Sequence, residues 1–297
     1  MRLVCISIIA VLLCSSCRKL VTDEFAEYGP VPVLNSILVA GSQIQVHVSL
    51  ARKIDAEPLE CIENATVTLY ADDQFLETIL HSGNGIYVGA TVIQPNRKYT
   101  CIASIPGFEE VIATDSIPNC TTLINISHTD MAGVDKEGNT YPSVSFTFEN
   151  DTSSEKYYEV LIKILQYDSY HYVTPIFITD PVLLNEGLPL AIFSNEMIKG
   201  NCYTMTLNYT TGEIGGRDGV SHTILHPLIL EVRSISYHYY LYAKQLHLYE
   251  QGRYPEIAGG VILPAQLYSN INNGLGIFTG YASVQSDTIF PSTLNTF

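Results

Sequence analysis

The feature that most constrains the fold of this chain is a two-residue alternation of apolar and polar side chains that recurs along much of its length. In the segment QIQVHVSL the apolar positions are Ile44, Val46, Val48 and Leu50, and ATVTLY repeats the pattern. Glycine, proline, asparagine and aspartate separate such segments, as at Asp72-Asp73. Alternating runs between turn residues indicate antiparallel strands. Roughly seven short strands in this length predict an immunoglobulin-like β-sandwich over residues 29–118.

The remainder of the chain, residues 119–297, is predicted to form a second β-rich domain. Pro118-Asn119 interrupts the periodicity, and SVSFTF then places Val144, Phe146 and Phe148 on one face. Further strand candidates are YYEVLIKILQY, YVTPIFIT, CYTMTLNY and LILEVRSIS, and NNGLGIFTGYASV reads as a turn and a last strand. Residues 180–189 and 211–219 are predicted to be long loops. The predicted fold class is therefore mainly β.

One helix is predicted in the C-terminal half. The apolar positions that recur from Tyr239 at intervals of three and four residues are Tyr242, Ala243, Leu246 and Tyr249. Gly252 follows as a signal for the end of the helix. We expect this stripe of side chains to pack against the core.

The amino terminus carries the features of an export signal. In MRLVCISIIAVLLCSSC, Arg2 precedes an apolar run that ends at Leu13, and two serines lead into Cys17. A basic start, an apolar core and small residues before a cleavage point are typical of a signal peptide. A cysteine directly after the cut is the lipid acceptor of bacterial lipoproteins. We therefore predict a signal peptide at residues 1–16, lipidation of Cys17, and a tether over residues 17–28.

Length and charge argue against other kinds of membrane or nucleic-acid association. The apolar run is shorter than the ~20 residues that a membrane-spanning helix needs. The formal net charge of −15 repels phosphate backbones and anionic headgroups, so we expect no nucleic-acid binding. Membrane association then depends on the acyl chains at Cys17. Secretion without lipid stays open as an alternative, because Cys14 stands where lipoprotein signals usually have leucine.

Four cysteines follow the anchor position: Cys61, Cys101, Cys120 and Cys202. No CxxC spacing occurs among these four, so neither a structural zinc site nor a redox dithiol is expected. An oxidising exterior permits disulfides, and four cysteines allow three pairings. A bond between Cys101 and Cys120 would join a strand to the segment that leaves the first domain, but the sequence leaves the pairing open.

Several segments together resemble a known family. They are the Cys17 start with its acidic tether, VLNSILVAGSQIQVHVSLAR, ENATVTLYADDQFLETI, GIYVGATVIQPNRKYTCIASIPGFEEVIATDSIP, YHYYLYAKQL and LYSNINNGLGIFTGYAS. In this order they are similar to the outer-membrane lipoproteins of Bacteroidota grouped as domain of unknown function 4249. The resemblance implies an N-terminal β-sandwich, a β-rich C-terminal region, and a place in the envelope beside TonB-dependent transporters. It transfers no catalytic residues, because the family has no assigned function.

The sequence lacks common catalytic motifs, so we expect neither an enzyme nor a cofactor. GxSxG, HExxH and GxxxxGK[ST] do not occur. The histidines that could hold a metal ion or haem are His171, His222, His226, His238 and His247. Pro227 disfavours a helix at His226, and strand residues four apart lie ~13 Å from each other. Metal or haem capture is therefore an alternative function, and no metal ligand is assigned.

Tyrosines are the candidate ligand-binding residues. Those that lie beside His171 and His238 are Tyr167, Tyr170, Tyr172, Tyr237 and Tyr240. A tyrosine ring combines a flat apolar face with a hydroxyl group, which suits the capture of a small molecule, a peptide or a glycan. The alternative interpretation is that these rings pack within the fold.

The expected function follows from the anchor, the fold and the tyrosines. We expect a lipid-anchored, non-enzymatic accessory protein of the outer membrane, periplasmic or surface-exposed. It would bind a nutrient ligand, dock on a TonB-dependent transporter, or do both. A structural or adhesive envelope protein without a small ligand is the first alternative, and the metal- or haem-capturing lipoprotein is the second.

Overall fold

The structure is a computed structural model that describes residues 29–51, 60–217, 220–252 and 267–292. Strands dominate this part of the chain, so the predicted mainly β class is confirmed. The signal peptide, Cys17 and the tether were predicted for residues that lie outside the described ranges.

The alternating segments before residue 118 form strands. They are β1 (Val31–Val39), β2 (Gln43–Ala51), β3 (Glu60–Cys61), β4 (Thr66–Ala71), β5 (Gln74–Gly83), β6 (Ile86–Val92), β7 (Arg97–Ser104) and β8 (Val111–Ile117). The turn predicted at Asp72-Asp73 is confirmed, with φ angles of 48° and 64°. Aspartate tolerates this left-handed conformation, which lets β4 reverse into β5.

The elements after residue 118 are again mostly strands. They are β9 (Leu123–Val134), β10 (Thr140–Glu149), β11 (Tyr157–Gln166), β12 (Ser169–Val173), β13 (Pro175–Ile176), α1 (Pro181–Glu186), β14 (Ile192–Ser194), β15 (Cys202–Tyr209), β16 (Ile214–Arg217), β17 (Val220–Thr223), β18 (Leu228–Ile235), α2 (Tyr237–Gly252), β19 (Ile271–Asn272) and β20 (Leu275–Gln285). The predicted helix is α2. It begins two residues earlier than expected, because the Ser236 hydroxyl caps it by accepting the Tyr239 N–H over 3.2 Å.

Both predicted long loops contain regular structure. Residues 180–189 include α1, which begins where the Asp180 carboxylate accepts the Val182 N–H over 2.9 Å and ends at Gly187 with φ 73°. Residues 211–219 include β16, which pairs with β17. The described residues therefore contain two helices, α1 and α2, where the sequence predicted one.

A single hydrogen-bonded path of strands runs through most of the described residues. Its order is β12-β11-β18-β20-β1-β2-β6-β5-β4-β7-β8-β19, with β14 and β3 at its sides. β5 pairs with β4 through its first half and with β6 through its second half, so it turns the path from one layer to the other. A second sheet has the order β13-β15-β10-β17-β16, and β9 also pairs with β10.

The layers enclose two hydrophobic cores in a sandwich-like arrangement. The first core is built from residues of β1 to β8, and Ile271 and Phe278 join it from the end of the chain. The second core lies between the second sheet and the β11-β18 part of the long path, around Phe148 and Leu230. β20 connects the two parts, since it pairs in parallel with β1 and antiparallel with β18. The division at residue 118 stays a prediction.

All four described cysteines are free thiols. Cys101 is fully buried in the first core, and burial raises its pKa to about 12. Cys120 is exposed. The suggested bond between Cys101 and Cys120 is therefore wrong for this structure, because the Cys101 side chain points into the core and away from solvent.

Candidate functional site

A polar cleft of about 570 Å³ opens between the segment that follows β8 and the turn that joins β10 to β11. Its lining residues are Asn119, Cys120, Thr121, Glu149, Asn150, Asp151, Thr152, Ser153, Lys156, Tyr158, Asn201, Cys202 and Ser234. Amide and hydroxyl side chains dominate this surface. The volume lies in the range of about 300–1,000 Å³ that is usual for small-molecule sites.

The turn over residues 150–156 forms one wall and is held by Asn195. The Asn195 side-chain N–H groups donate to Asn150 Oδ1 at 3.1 Å, to the Asp151 carbonyl at 3.0 Å and to the Ser154 carbonyl at 3.1 Å. Its Oδ1 accepts the Lys156 N–H at 2.9 Å. Since one buried side chain ties four points of the turn, this wall is fixed before any ligand arrives.

The other walls are held against the end of β10. The Thr121 hydroxyl donates to the Glu149 carbonyl over 2.6 Å, and the Glu149 N–H donates to the Thr122 carbonyl over 3.0 Å. On the opposite side, the Asn150 N–H donates to the Asn201 carbonyl over 2.7 Å. The cleft is therefore preformed on both flanks of one strand end.

A second cavity of about 490 Å³ adjoins the first and shares Lys156 and Ser234 with it. Its cations face carboxylates of the protein itself. Arg97 pairs with Asp72 at 2.7 Å and Lys98 with Asp73 at 2.8 Å. Lys156 lies 3.5 Å from Asp151. Because these cations are matched internally, the free hydrogen-bonding capacity of the double cleft comes from neutral groups and from the Glu149 and Glu155 carboxylates that also line it.

An aromatic wall closes the second cavity. Tyr157 and Tyr237 both line it, with ring centroids 5.3 Å apart. Tyr240 stacks behind Tyr157 at 4.7 Å. Burial raises the pKa of Tyr157, and the nearby Glu155 adds to that rise, so its hydroxyl stays protonated. The double cleft thus combines polar groups with an aromatic ring face.

The five predicted tyrosines fall into two groups. Tyr167, Tyr170 and Tyr172 follow the β11-β12 hairpin and are exposed. Tyr237 lines the second cavity. Tyr240 lies beside it but donates its hydroxyl hydrogen to Glu186 over 2.5 Å. Ligand binding by these residues stays a prediction, and the structure does not bring all five to one place.

A cluster of largely buried charges lies on the neighbouring strands β11 and β18 and was missed by the sequence analysis. Its members are Glu159, Lys163, Glu231 and Arg233. Arg233 donates to Glu159 at 2.9 Å and to Glu231 at 2.8 Å, and Lys163 pairs with Glu231. The Arg233 guanidinium also lies 4.3 Å from the centroid of the Tyr281 ring. The sequence could have predicted this cluster, because its charged residues interrupt strands that are otherwise apolar.

The charge cluster is electrically matched. Although burial opposes it, hydrogen bonds from Arg233 and Lys163 hold the pKa of Glu231 below its ordinary value. Burial likewise opposes the charge of Arg233, yet its bonds to Glu231 and the charge of Glu159 raise its pKa. Both shifts favour the charged forms of Glu231 and Arg233, which is typical of a structural network.

A second buried carboxylate, Asp115, lies where β8 meets the start of α2. Its Oδ1 accepts the Ser116 N–H over 2.8 Å, and its Oδ2 has no hydrogen-bond partner in the described structure. The neighbouring hydroxyls of Ser236 and Thr279 bond to each other over 2.8 Å. Burial raises the pKa of Asp115, although these hydroxyls and the nearby His238 act in the opposite direction.

The histidines occupy separate places. His226 bonds to Glu213 over 2.9 Å, and His238 bonds to the Tyr268 hydroxyl over 2.6 Å. His171 is exposed on β12. Within the described ranges, no group of three or more histidine, cysteine, aspartate or glutamate side chains is arranged to hold a metal ion.

The fold and the cleft define a mainly β protein with two sandwich-like cores and a preformed polar cleft beside an aromatic wall. A family model described as domain of unknown function (DUF4249) matches residues 19–287. The chain belongs to this family, as the resemblance predicted. No curated protein matches the chain. Neither helix of the described residues has the length and apolar character needed to cross a membrane.

Proposed function

We propose that the chain is a lipid-anchored accessory protein of the outer membrane that binds a nutrient ligand in the double cleft without transforming it. The observation that carries the proposal is the preformed polar cleft with its tyrosine wall. Clefts that bind small molecules usually combine a rigid frame with a few neutral polar groups and aromatic rings. Docking on a TonB-dependent transporter is the second half of the proposal, and it rests on the family resemblance.

The chemistry of the cleft favours binding over catalysis. Among its described lining residues there is no histidine. Hydrogen bonds from the side chain and backbone of Ser153, supported by Lys156, hold the pKa of Asp151 to about 2. That carboxylate is therefore ionised at every physiological pH and is a poor proton donor.

The anchor is tested by labelling. Cells that express the full chain are grown with an alkyne analogue of palmitate. The wild-type protein is expected in the membrane fraction with the label attached, and Cys17→Ala is expected without it. Cys14→Leu is the matched control, since it changes a neighbouring cysteine and should keep the label. An unlabelled wild-type protein that accumulates in the culture fluid would refute anchoring.

The cleft is tested with protein purified from native membranes. Thr152→Trp places a large ring in the cleft, whereas Thr78→Trp places the same ring on an exposed position of β5. Mass spectrometry of the small molecules released when the protein is unfolded should detect a ligand from wild type and Thr78→Trp, and less from Thr152→Trp. A transporter should co-purify with wild type. If neither ligand nor transporter appears, the structural or adhesive alternative is favoured.

A further inference from the structure

The outer edge of β12 is an unpaired strand edge. β12 stands at the end of the long strand path, and among the described elements it pairs with β11 alone. Four of its five residues are exposed, with Tyr170 at 52% and Tyr172 at 61%. A strand edge of this kind offers free N–H and C=O groups to another strand.

The hairpin geometry tells which backbone groups are free. β11 and β12 are joined by Tyr167-Asp168, both with positive φ, and the pair Gln166↔Ser169 closes the turn. In a two-residue hairpin this closing pair is hydrogen-bonded, and the bonded pairs then alternate. Ser169 and His171 therefore bond to β11. The N–H and C=O groups of Tyr170 and Tyr172 point away from the sheet.

Two free positions with one residue between them fit a second copy of the same strand. When two β12 strands run antiparallel about an axis at His171, Tyr170 of each copy stands opposite Tyr172 of the other. Both members of such a pair present their backbone groups to the partner, so each pair forms two hydrogen bonds and the dimer forms four. We propose that β12 is a self-association edge that joins two copies of this chain.

Charge supports a second copy as the occupant. The segment SYHYV contains no aspartate, glutamate, lysine or arginine, although the chain has a net charge of −15. Soluble sheets usually protect an exposed edge with lysine, proline or a bulge. Two copies carry the same excess of negative charge, so they can approach closely only where that charge is absent. β12 provides such a place.

The side chains add to the fit on both faces. Opposed tyrosines on neighbouring antiparallel strands pack across the pair and stabilise it. On the other face, His171 of one copy lies directly opposite His171 of the second, in a non-bonded pair with a Cα separation of about 4.5 Å. At that Cα separation, cysteines placed at position 171 of both copies could form a disulfide, so a cross-link tests the proposed axis.

The test is a register-specific disulfide in the full-length protein. Cys61, Cys120 and Cys202 are replaced by serine, and His171→Cys or Ser169→Cys is added. On oxidation by copper-phenanthroline, two thiols at position 171 lose their protons and two electrons to the copper oxidant and form an S–S bond. His171→Cys should yield a covalent dimer. Ser169→Cys should not, because its two copies would be ~13 Å apart.

A backbone variant separates edge pairing from other contacts. Tyr172→Pro removes an N–H group that β11 does not use, so the fold should persist by circular dichroism. It should slow the His171→Cys cross-link by about tenfold or more relative to Tyr172→Thr, which also lacks the tyrosine ring but keeps the N–H. Equal cross-linking at 169 and 171, no effect of proline, or a cross-link from position 171 to a different envelope protein would each overturn the proposal.

Discussion

Arg233 lies between Glu159 and Glu231 on the face of the long sheet that α2 partly covers. Its Nη1 donates to Glu159 Oε2 over 2.9 Å, and its Nε donates to Glu231 Oε1 over 2.8 Å. The Tyr239 hydroxyl of α2 donates to the same Glu159 oxygen over 3.0 Å. One guanidinium therefore joins β11, β18 and the helix. Each carboxylate would be costly to bury without it.

Removal of the guanidinium should strongly destabilise the protein. Arg233→Met leaves two largely buried carboxylates without their main partner, and we expect a loss of roughly 3–5 kcal/mol in the free energy of unfolding. Urea unfolding followed by tyrosine fluorescence measures this, since the chain has 20 tyrosines and no tryptophan. Arg97→Met removes a solvent-exposed pair with Asp72 and should have a much smaller effect on the free energy of unfolding. Equal losses in both variants would contradict the role given to the cluster.

Asp115 should make the protein less stable as the pH rises. Its pKa is raised in the folded state by burial, so the folded state binds the proton more tightly than the unfolded state does. The favourable contribution is complete below the ordinary pKa of 3.8 and is lost as the pH rises through the raised value. Asp115→Asn removes this loss. It should be about as stable as wild type at acidic pH and more stable at pH 8, by roughly 1–3 kcal/mol.

The comparison for Asp115 is made by thermal melting of both proteins over a pH series. Other groups titrate in the same range, so the quantity of interest is the difference between variant and wild type at each pH. A difference that does not change with pH would show that the charge of Asp115 has no part in it.

Asn195 should control the wall of the cleft. Asn195→Ala removes the side-chain donors to Asn150, Asp151 and Ser154 and should cost about 1–3 kcal/mol in unfolding free energy. Protease cleavage within residues 150–156 should become faster. Asn201→Ala is the control, because Asn201 contributes its backbone carbonyl to the wall and its side chain is exposed. Unchanged cleavage in Asn195→Ala would show that the wall is held by other contacts.

Thiol reactivity should divide the cysteines by burial. Cys120 and Cys202 are exposed and should react with Ellman's reagent in the folded protein, Cys120 more slowly because partial burial raises the pKa of its thiol, whereas Cys101 should react only when the protein unfolds. Cys61 is half-buried, with its sulfur 3.8 Å from His47 Nε2, and should be intermediate. A time course on wild type and on a Cys120→Ser/Cys202→Ser variant assigns the fast phase. A fast phase that survives in this double variant would contradict the assignment.

Local patterns predicted the local elements well. Ile44, Val46 and Val48 are buried as the alternation in QIQVHVSL requires, and the predicted helix is present as α2. Helix α1 was missed, although Asp180 before Pro181 and the later Gly187 are ordinary start and stop signals. A helix of six residues is too short to show a periodic apolar face. Its proline, asparagine and glycine residues therefore led to the prediction of a loop.

The candidate site could not be predicted in the same way. The cleft brings Asn119, Asn150 and Asn201 together from three separate segments, and no spacing in the sequence encodes that contact. The charge cluster around Arg233 was easier to predict from the sequence than the cleft. Glu231 and Arg233 stand two residues apart in LILEVRSI, on one face of an apolar strand, and such a pattern indicates a partner on the neighbouring strand.

The parallel pairing of β1 with β20 has a consequence for the order in which the molecule is completed. Leu34 and Phe278 belong to the same core, although nearly the whole chain separates them. A polypeptide that is synthesised or exported from its amino terminus cannot close that core until its last strand has emerged. Contacts of such long range slow folding. The first core therefore stays incomplete until β20 has been made, and a fragment truncated before residue 275 would lack part of its interior.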